Sequence, residues 1–322
     1  MNTNGVSVII PTRNRAQLVR EAVESVLQQT HPAVEVIVVD DASTDGTEQT
    51  LAAAFPEALR DGRLAYGRQT TQQGRSCARN HGISRARGRY LAFLDDDDLF
   101  LPDHLTQVVG ALTKSDAVGT GVLLTDWQKR PLARYRIFFR GRLPPRELAL
   151  LGFGLTNSNA AIRREVLDRV GGFRAGMEQG EDIDFWMRVA MSGSVRLVRK
   201  TTVLRRVHQQ HYTADQEEAH QIRFGDGLKD MLLANSRELG FEPSPRLLAY
   251  LHLFLARNGV RRGERDYARE RLRLAVRHWP WLPILEPGVW NVMGRATLLR
   301  HPPLQHLARK TQQLCRRLAS AS

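Results

Sequence analysis

Short apolar runs alternate with stretches of helical periodicity over the first hundred residues of the chain. The runs Val6–Ile10, Val34–Val39 and Tyr90–Leu94 are continuous and rich in β-branched or aromatic residues, as strands buried on both faces are. Between the first two runs, apolar residues recur every four positions over Leu18–Leu27, which predicts one buried face of a helix. Alternating strands and helices predict an α/β fold built on a doubly wound, mostly parallel sheet.

Polar residues follow each predicted strand directly. Thr12 and Arg13 come after the first strand, Asp40 and Asp41 after the second, and Asp95–Asp98 after the strand that begins at Tyr90. The carboxyl ends of parallel strands share one edge of the sheet, so these residues are expected at the edge where ligands bind in such folds. Neither a Gly-x-Gly-x-x-Gly nor a Walker pattern occurs, which argues against an ordinary dinucleotide or ATP site.

The acidic run Asp95–Asp98 is the most informative stretch of the chain. Four adjacent carboxylates repel each other unless a cation lies among them, and a hard divalent cation with oxygen ligands is the natural partner. The alternative is a solvated acidic loop. We favour a metal site because the preceding strand fixes the run to the sheet edge and because the chain as a whole carries a net charge of +13.

The pattern changes near residue 220. Beyond it, helical periodicity dominates, most clearly over Leu247–Ala256, Tyr267–His278 and Leu304–Leu318. We therefore expect a first domain over residues 1–220 and a helical extension over residues 221–322, with a helical hairpin around Gly259–Arg265. From residue 245 to the last residue the chain holds 15 Lys and Arg against 4 Asp and Glu. Such a basic block favours nucleic acid, an anionic lipid headgroup or a phosphorylated acceptor as partner.

Cellular setting is indicated by what the sequence lacks. The two cysteines, Cys77 and Cys315, match no zinc or redox spacing, which fits a reducing compartment. The first residues have no signal-peptide pattern, and no apolar run approaches the roughly 18 residues that span a bilayer. We expect a cytoplasmic protein that is at most peripheral on the inner face of the membrane, with Leu304–Leu318 resembling a basic amphipathic helix.

Six motifs follow one another along the chain: Val8–Arg15, Val38–Asp45, Gly74 with Ala78–Ile83, Phe93–Asp98, Gly171–Phe173 and Glu181–Arg188. In this order they resemble the inverting glycosyltransferases of family two, which transfer sugars from nucleotide diphosphates and have the GT-A fold. The resemblance covers about residues 5–210 and leaves the last hundred residues unmatched.

The resemblance implies a donor site at the ends of the first two strands. Pro11, Thr12 and Arg15 would frame the nucleoside, and Asp41 would accept a hydrogen bond from the base. Asp41 could instead be a helix cap or a turn former. Arg79 would lie near the nucleotide, since a guanidinium suits a base edge or a diphosphate, although a solvated helix face is the usual place for an arginine.

The acidic run would hold the metal in this family. Asp95 and Asp97 form the Asp-x-Asp pair and would bind Mn²⁺ or Mg²⁺ together with the diphosphate of the donor. Asp96 could contact the ribose or the metal, so the register within the run stays open by one residue. His208 could reach the metal or the diphosphate, with a surface position beside Arg205 and Arg206 as the alternative.

The resemblance also implies a catalytic base. Asp182 would take the proton of the acceptor hydroxyl on the face opposite the leaving group, and Glu181 is the alternative base. Both acids could equally serve only as favourable charges at a helix N-terminus. Trp186 would offer a flat apolar face to an acceptor sugar, with packing in the core as the alternative.

The implied activity is a metal-dependent, inverting transfer of a hexosyl or N-acetylhexosaminyl group to a hydroxyl of a glycan or lipid-linked saccharide, in cell-surface polysaccharide synthesis. A UDP-sugar donor is favoured. One alternative is a nucleotidyltransferase that makes the sugar nucleotide, but Pro11–Arg15 lacks the glycines of a phosphate loop. The other alternative is a nucleic-acid-binding protein. The basic block contains no recognised nucleic-acid-binding motif, so we expect no nucleic acid partner.

Overall fold

The computed structural model describes residues 5–31, 35–134, 144–177, 180–207 and 227–282. The chain forms two compact units, Met1–His211 and Tyr212–Ser322. The expected domain boundary near residue 220 remains a prediction, because 208–226 lies outside the described residues. The expected helix Leu304–Leu318 and the cysteine Cys315 lie outside them as well.

Strands and helices alternate through the first half of the first unit and then become less regular. The strands are β1 (Val6–Thr12), β2 (Glu35–Asp40), β3 (Leu64–Arg68), β4 (Tyr90–Phe93), β5 (Leu99–Phe100), β6 (Ala117–Thr125), β7 (Pro131–Arg134), β8 (Ala160–Arg163) and β9 (Val195–Arg206). The helices are α1 (Ala16–Leu27), α2 (Thr47–Ala54), α3 (Pro56–Arg60), α4 (Arg75–Arg85), α5 (His104–Leu112), α6 (Pro145–Leu150), α7 (Leu167–Val170) and α8 (Glu181–Ser192), with a 3₁₀ turn at Arg164–Val166.

The nine described strands form one mixed sheet in the order β3-β2-β1-β4-β8-β6-β9-β5, with β7 paired to β6. The pairs among β3, β2, β1 and β4 are all parallel, as the sequence predicted. β1 and β2 are buried along their whole length, since helices cover both faces of this part of the sheet. The expected α/β class is confirmed, and its parallel half is the part that carries the acidic run.

The other half of the sheet differs from the expectation. β8 runs antiparallel to both β4 and β6, and β5 runs antiparallel to β9. Val195–Arg206 is one twelve-residue strand that stays paired with β6 across a register shift near Gly121. The two-residue strand β5 and the hairpin strand β7 were not predicted, since neither is long enough to show a period of two.

Close packing of α4 on β1 places the site residues of that helix. A Cβ atom on Gly82 would lie 2.4 Å from Ile9 Cγ2, so only glycine permits this approach of helix to sheet. Arg79 and Asn80 lie about one turn earlier on the same helix, and the side chain of Arg79 is 2% exposed. Sheet packing therefore buries a guanidinium next to the end of β4.

The second unit is helical over its described residues, as expected. A helix over residues 227–238, here α9, precedes α10 (Pro245–Arg261) and α11 (Arg265–His278). Ser244 caps α10 by accepting a hydrogen bond from the Leu247 N–H at 3.0 Å. Packing of α11 buries Ala268, Leu272 and Ala275. Within the described residues, no helix has the length and apolar character needed to cross a bilayer.

Candidate active site

The ends of β1, β2 and β4 bring the predicted polar residues to one edge of the sheet. Thr12 is the register partner of Asp40, and Ile9 is paired with Phe93, the last residue of β4. Asp41 follows directly, and its backbone N–H donates to the Thr12 carbonyl at 2.9 Å. The acidic run therefore emerges beside Thr12, and the expectation that these residues share an edge agrees with the geometry.

The acidic run alternates between partly exposed and buried carboxylates. The side chains of Asp95 and Asp97 are 30% and 16% exposed, whereas Asp96 and Asp98 are buried. Asp96 and Asp97 lie in a turn that is closed by a hydrogen bond from the Asp98 N–H to the Asp95 carbonyl at 3.1 Å. Asp95 and Asp97 are therefore the pair that a ligand at the sheet edge can reach, and the geometry favours that register of the Asp-x-Asp motif.

Arg15 and Thr12 fix the middle of the acidic run. Arg15 Nη1 lies 2.9 Å from Asp96 Oδ1 and 2.8 Å from Asp97 Oδ2, and Thr12 Oγ1 donates to Asp96 Oδ2 at 2.8 Å. Burial raises the pKa of Asp96 to about 6 despite the neighbouring Arg15 guanidinium. Thr12 and Arg15, two of the three residues predicted to frame the nucleoside, thus hold the acidic run in place.

Arg206, at the end of β9, holds the last carboxylate of the run. Its backbone N–H donates to Asp98 Oδ1 at 3.2 Å, and its guanidinium donates to the Asp97 carbonyl at 3.3 Å and pairs with Glu21. Burial raises the pKa of Asp98 to about 8. No role was predicted for Arg206, whose side chain is 2% exposed. Only its place at the end of a strand could have indicated a role at the edge.

Arg79 connects the acidic run to α8. Its guanidinium lies 2.9 Å from Asp95 Oδ1 and 3.1 Å from Glu181 Oε1. Burial alone would raise the pKa of Asp95, but the ion pair with Arg79 outweighs it and lowers that pKa below its ordinary value. Arg79 is thus a buried counter-charge shared by a predicted metal ligand and an acid at the start of α8, rather than a residue on a solvated helix face.

The N-terminus of α8 presents two acids to this centre. Gly180 precedes the helix with φ +80°, a left-handed conformation that glycine adopts without strain. Glu181 is engaged by Arg79, while Asp182 makes no ion pair with any cation in the described part of the chain. Burial raises the pKa of Asp182, and the neighbouring charge of Glu181 raises it further. Asp182 is therefore the acid whose proton affinity is increased.

The Gly-Gly-Phe turn fixes α8 against α4. Asn80 both accepts from the Phe173 N–H at 2.8 Å and donates to the Phe173 carbonyl at 2.7 Å. A Cβ atom on Gly172 would lie 2.4 Å from Asn80 Oδ1, so the contact requires glycine. Arg188 donates from α8 to the Gly172 carbonyl at 2.9 Å and pairs with the fully buried Asp184. Nothing in the sequence pattern predicts this pair of bonds between Asn80 and Phe173.

The structure corrects the expectation for Trp186. Its side chain is 1% exposed, and its indole N–H donates to Asn157 Oδ1 at 3.1 Å. Its ring meets Phe93 edge to face at 5.9 Å and Phe185 at 5.1 Å. An acceptor sugar cannot stack on a ring that is covered on all sides, so Trp186 belongs to the core that supports the end of β4.

The predicted nucleoside residues lie around the ends of β1 and β2. Asp41 accepts from the backbone N–H groups of Gln73 and Gly74 at 2.7 and 2.9 Å and so holds the loop before α4. Pro11 is buried in β1. Asp41 therefore has the turn-forming role that the sequence left open, and a bound base would compete with, or add to, these two bonds.

The resemblance implies a divalent cation, and the side chains at the sheet edge can be compared with the ligands that such a cation needs. No group of three or more His, Cys, Asp and Glu side chains in the described ranges is arranged to hold a metal by itself. Magnesium needs only one or two carboxylates when phosphate oxygens and water complete its shell. Asp95 and Asp97 supply two partly exposed carboxylates, so they fit a site that the donor diphosphate completes. His208 lies outside the described residues.

Comparison with known proteins gives a consistent picture. The model of the family described as Glycosyl transferase family 2 matches residues 7–171, slightly more than half of the chain. An uncharacterized glycosyltransferase of Rickettsia felis is 31% identical over 196 residues, which are 59% of this chain and 31% of the relative. The Bacillus subtilis protein TuaG, a proposed teichuronic acid biosynthesis glycosyltransferase, is 44% identical over 132 residues, 40% of this chain and 51% of TuaG. The chain thus spans 31% and 51% of the length of these two relatives.

Solved structures share the fold. The mannosyltransferase PcManGT of Pyrobaculum calidifontis, in complex with GDP-Man and Mn²⁺, superposes with a TM-score of 0.61 at 24% identity, covering 95% of this chain and 84% of PcManGT. Staphylococcus aureus TarS 1-349 in complex with UDP gives a TM-score of 0.57 at 19% identity, covering 91% of this chain and 88% of that one. At these identities the likeness concerns the fold alone.

Proposed function

The chain belongs to glycosyl transferase family 2, and on that premise we propose that it is a nucleotide-sugar-dependent glycosyltransferase that inverts the anomeric carbon. The observation that carries the proposal is the buried Arg79 bridge. It brings Asp95, at the end of a parallel strand, next to Glu181 and Asp182 at the start of α8. A leaving group held at one side and a base at the other is what a direct displacement requires.

The donor diphosphate would be bound at the sheet edge. Asp95 and Asp97 would hold Mn²⁺ or Mg²⁺ there, as the partly exposed members of the acidic run. When bound, the cation supplies positive charge that stabilises the leaving diphosphate. The Arg15 side chain reaches the same edge and is 32% exposed, and its guanidinium suits a diphosphate oxygen. Asp41 would read the base, since a carboxylate accepts from the N3–H of uracil or thymine or from the N1–H and N2 amine of guanine. Among these donors we favour UDP.

Asp182 would act as the general base. Its raised pKa makes it a better proton acceptor than an ordinary aspartate, provided that it is ionised at the working pH. Glu181 is held by Arg79 at 3.1 Å and is therefore assigned a positioning role. The acceptor hydroxyl would lose its proton to Asp182 as its oxygen bonds to the anomeric carbon and the bond to the diphosphate breaks.

The acceptor is proposed by class only. Similarity to TuaG over 40% of this chain supports a role in the synthesis of a cell-surface polymer. We propose as acceptor a hydroxyl of a glycan or lipid-linked saccharide, at the inner face of the cytoplasmic membrane. The transferred group would be a hexosyl or N-acetylhexosaminyl residue.

Calorimetric binding of UDP, GDP and dTDP, with and without Mn²⁺, tests the donor site. We expect one nucleotide to bind in a metal-dependent manner. Asp97→Ala should remove that dependence, because it deletes one of the two reachable carboxylates. Asp168→Ala is the matched control, since Asp168 is exposed on α7 away from the acidic run and should bind like the wild type. Failure of all three nucleotides to bind, with or without Mn²⁺, would contradict the proposal.

A further inference from the structure

An exposed tryptophan lies beside exposed arginines at the C-terminal end of α11. Trp281, in the turn that follows this helix, is 64% exposed, the most exposed of the large apolar side chains that the structure describes. Arg273 and Arg277 are also exposed and lie one helical turn apart. Neither forms an ion pair with a carboxylate of the described residues, and no acid follows Glu270 up to residue 282.

The turn that carries Trp281 is anchored on both sides. Trp279 packs against Tyr250 with ring centroids 5.8 Å apart, and the Arg246 guanidinium lies 5.3 Å from the centre of the same indole ring. Leu282 is fully buried, and its N–H donates to the Trp279 carbonyl at 3.0 Å. Because Trp279 and Leu282 are both fixed by these contacts, the turn between them holds the indole of Trp281 outward. The exposure of Trp281 therefore does not come from a fraying helix end.

Helix electrostatics explain only part of this surface. A cation in the last turn, such as Arg277, complements the negative end of the helix dipole. That argument gives no reason to hold a large apolar ring in water, which costs free energy in proportion to the exposed apolar area. An environment with both an apolar and an anionic side would account for the arginines and for Trp281 together.

We propose that Arg273, Arg277 and Trp281, here called the α11 surface, dock the protein on an anionic lipid bilayer. Tryptophan prefers the boundary between headgroups and acyl chains, and arginines near an anionic leaflet are attracted to its charge. A single-stranded nucleic acid would instead require a track of several stacking aromatics along a cationic groove. The inference rests on the membrane setting proposed above, which it deepens by naming the surface, and it uses no residue of the sheet edge.

Vesicle sedimentation of the full chain tests this surface. Vesicles of phosphatidylcholine alone are compared with vesicles that contain about 30% phosphatidylglycerol, an anionic lipid. We expect binding only to the anionic vesicles and release at about 1 M salt, where the Debye length is about 3 Å. Neutralising both arginines, as Arg273→Gln with Arg277→Gln, should weaken binding about 25-fold, about fivefold for each charge. Trp281→Ser should weaken it further.

The matched control removes two other arginines with the same change in net charge. Arg60 and Arg85 are exposed in the last turns of α3 and α4, so Arg60→Gln with Arg85→Gln should leave vesicle binding unchanged. Equal losses in both double variants would overturn the proposal, as would binding to neutral vesicles or preference for an oligonucleotide over vesicles. Nucleotide calorimetry on the same samples separates this result from the proposed activity, because the α11 surface should not affect it.

Discussion

Replacing Arg79 by methionine should destabilise the protein more than any exposed arginine can. Methionine keeps the length of the side chain but removes the charge from a position that is 2% exposed. Asp95 and Glu181 would then lose their shared partner, and Asp182 would add a third carboxylate nearby. Breaking a buried pair costs about 3–5 kcal/mol, and since Asp95 keeps partial contact with water we expect the lower end, about 3 kcal/mol at pH 7.

The dependence of this loss on pH provides a second test. The folded-state pKa of Asp95 is lowered, so its stabilising contribution is present above the ordinary pKa of an aspartate and is lost as the pH falls through the folded value. The difference in unfolding free energy between wild type and Arg79→Met should therefore shrink below about pH 4, where the carboxylates become protonated.

Urea denaturation followed by circular dichroism measures both effects. Arg75→Met is the matched control, because Arg75 lies one turn earlier on the same helix and is exposed; it should change stability by less than about 0.5 kcal/mol. In a Glu181→Gln background the cost of Arg79→Met should fall by about 1 kcal/mol or more, since the two residues are in contact. A loss below about 1 kcal/mol at pH 7, or one that does not shrink as the pH falls below about 4, would refute the reasoning.

Three further changes have defined outcomes. Asp182→Asn should abolish sugar transfer, while nucleotide binding measured by calorimetry stays intact. Transfer by the wild type should rise with pH through a midpoint above that of an ordinary aspartate, because the pKa of Asp182 is raised. Transfer by the variant would show that Asp182 is not the general base. Hydrogen bonds from the Ser194 N–H and hydroxyl lower the pKa of Asp116 to about 2, although burial acts in the opposite direction. Asp116→Asn should therefore cost about 2 kcal/mol in a urea titration at pH 7, with the difference vanishing as the pH falls from about 5 to 2. Gly172→Ala should lower stability by about 1–3 kcal/mol through its clash with Asn80, whereas Gly110→Ala, which meets open space, should not; equal thermal midpoints would contradict the packing argument.

The parallel half of the sheet and its acidic edge could be predicted because their pattern is local. Each strand there is a continuous apolar run, and each polar cluster follows its strand within one or two residues. Periodicity therefore located Thr12, Asp41 and Asp95–Asp98 at one edge without any knowledge of distant contacts. The family resemblance added α8, whose acids no periodic pattern could connect to the acidic run.

Residues whose role depends on distant partners could not be predicted. Arg206 had no predicted role because nothing near it in sequence shows that it reaches Asp98. Trp186 looked available for a ligand because it follows acids at a helix start, yet every residue from Asp184 to Met191 is buried. A helix that is covered on all sides has no exposed face, and its surroundings come from α6, α7 and Phe93 of β4 rather than from its own pattern.

Two contacts described above also constrain the order in which the protein can be completed. Asp98 and Arg206 are 108 residues apart in sequence, and Arg79 and Glu181 are 102 apart. Contacts of such separation form late, because the intervening chain must first be ordered. As the polypeptide leaves the ribosome, Asp95 and Asp96 emerge after their partners Arg79 and Arg15, whereas the buried Asp98 stays without Arg206 until β9 has emerged. A fragment limited to residues 7–171 would lack both Arg206 and Glu181, so the shortest competent nascent chain should extend through Arg206.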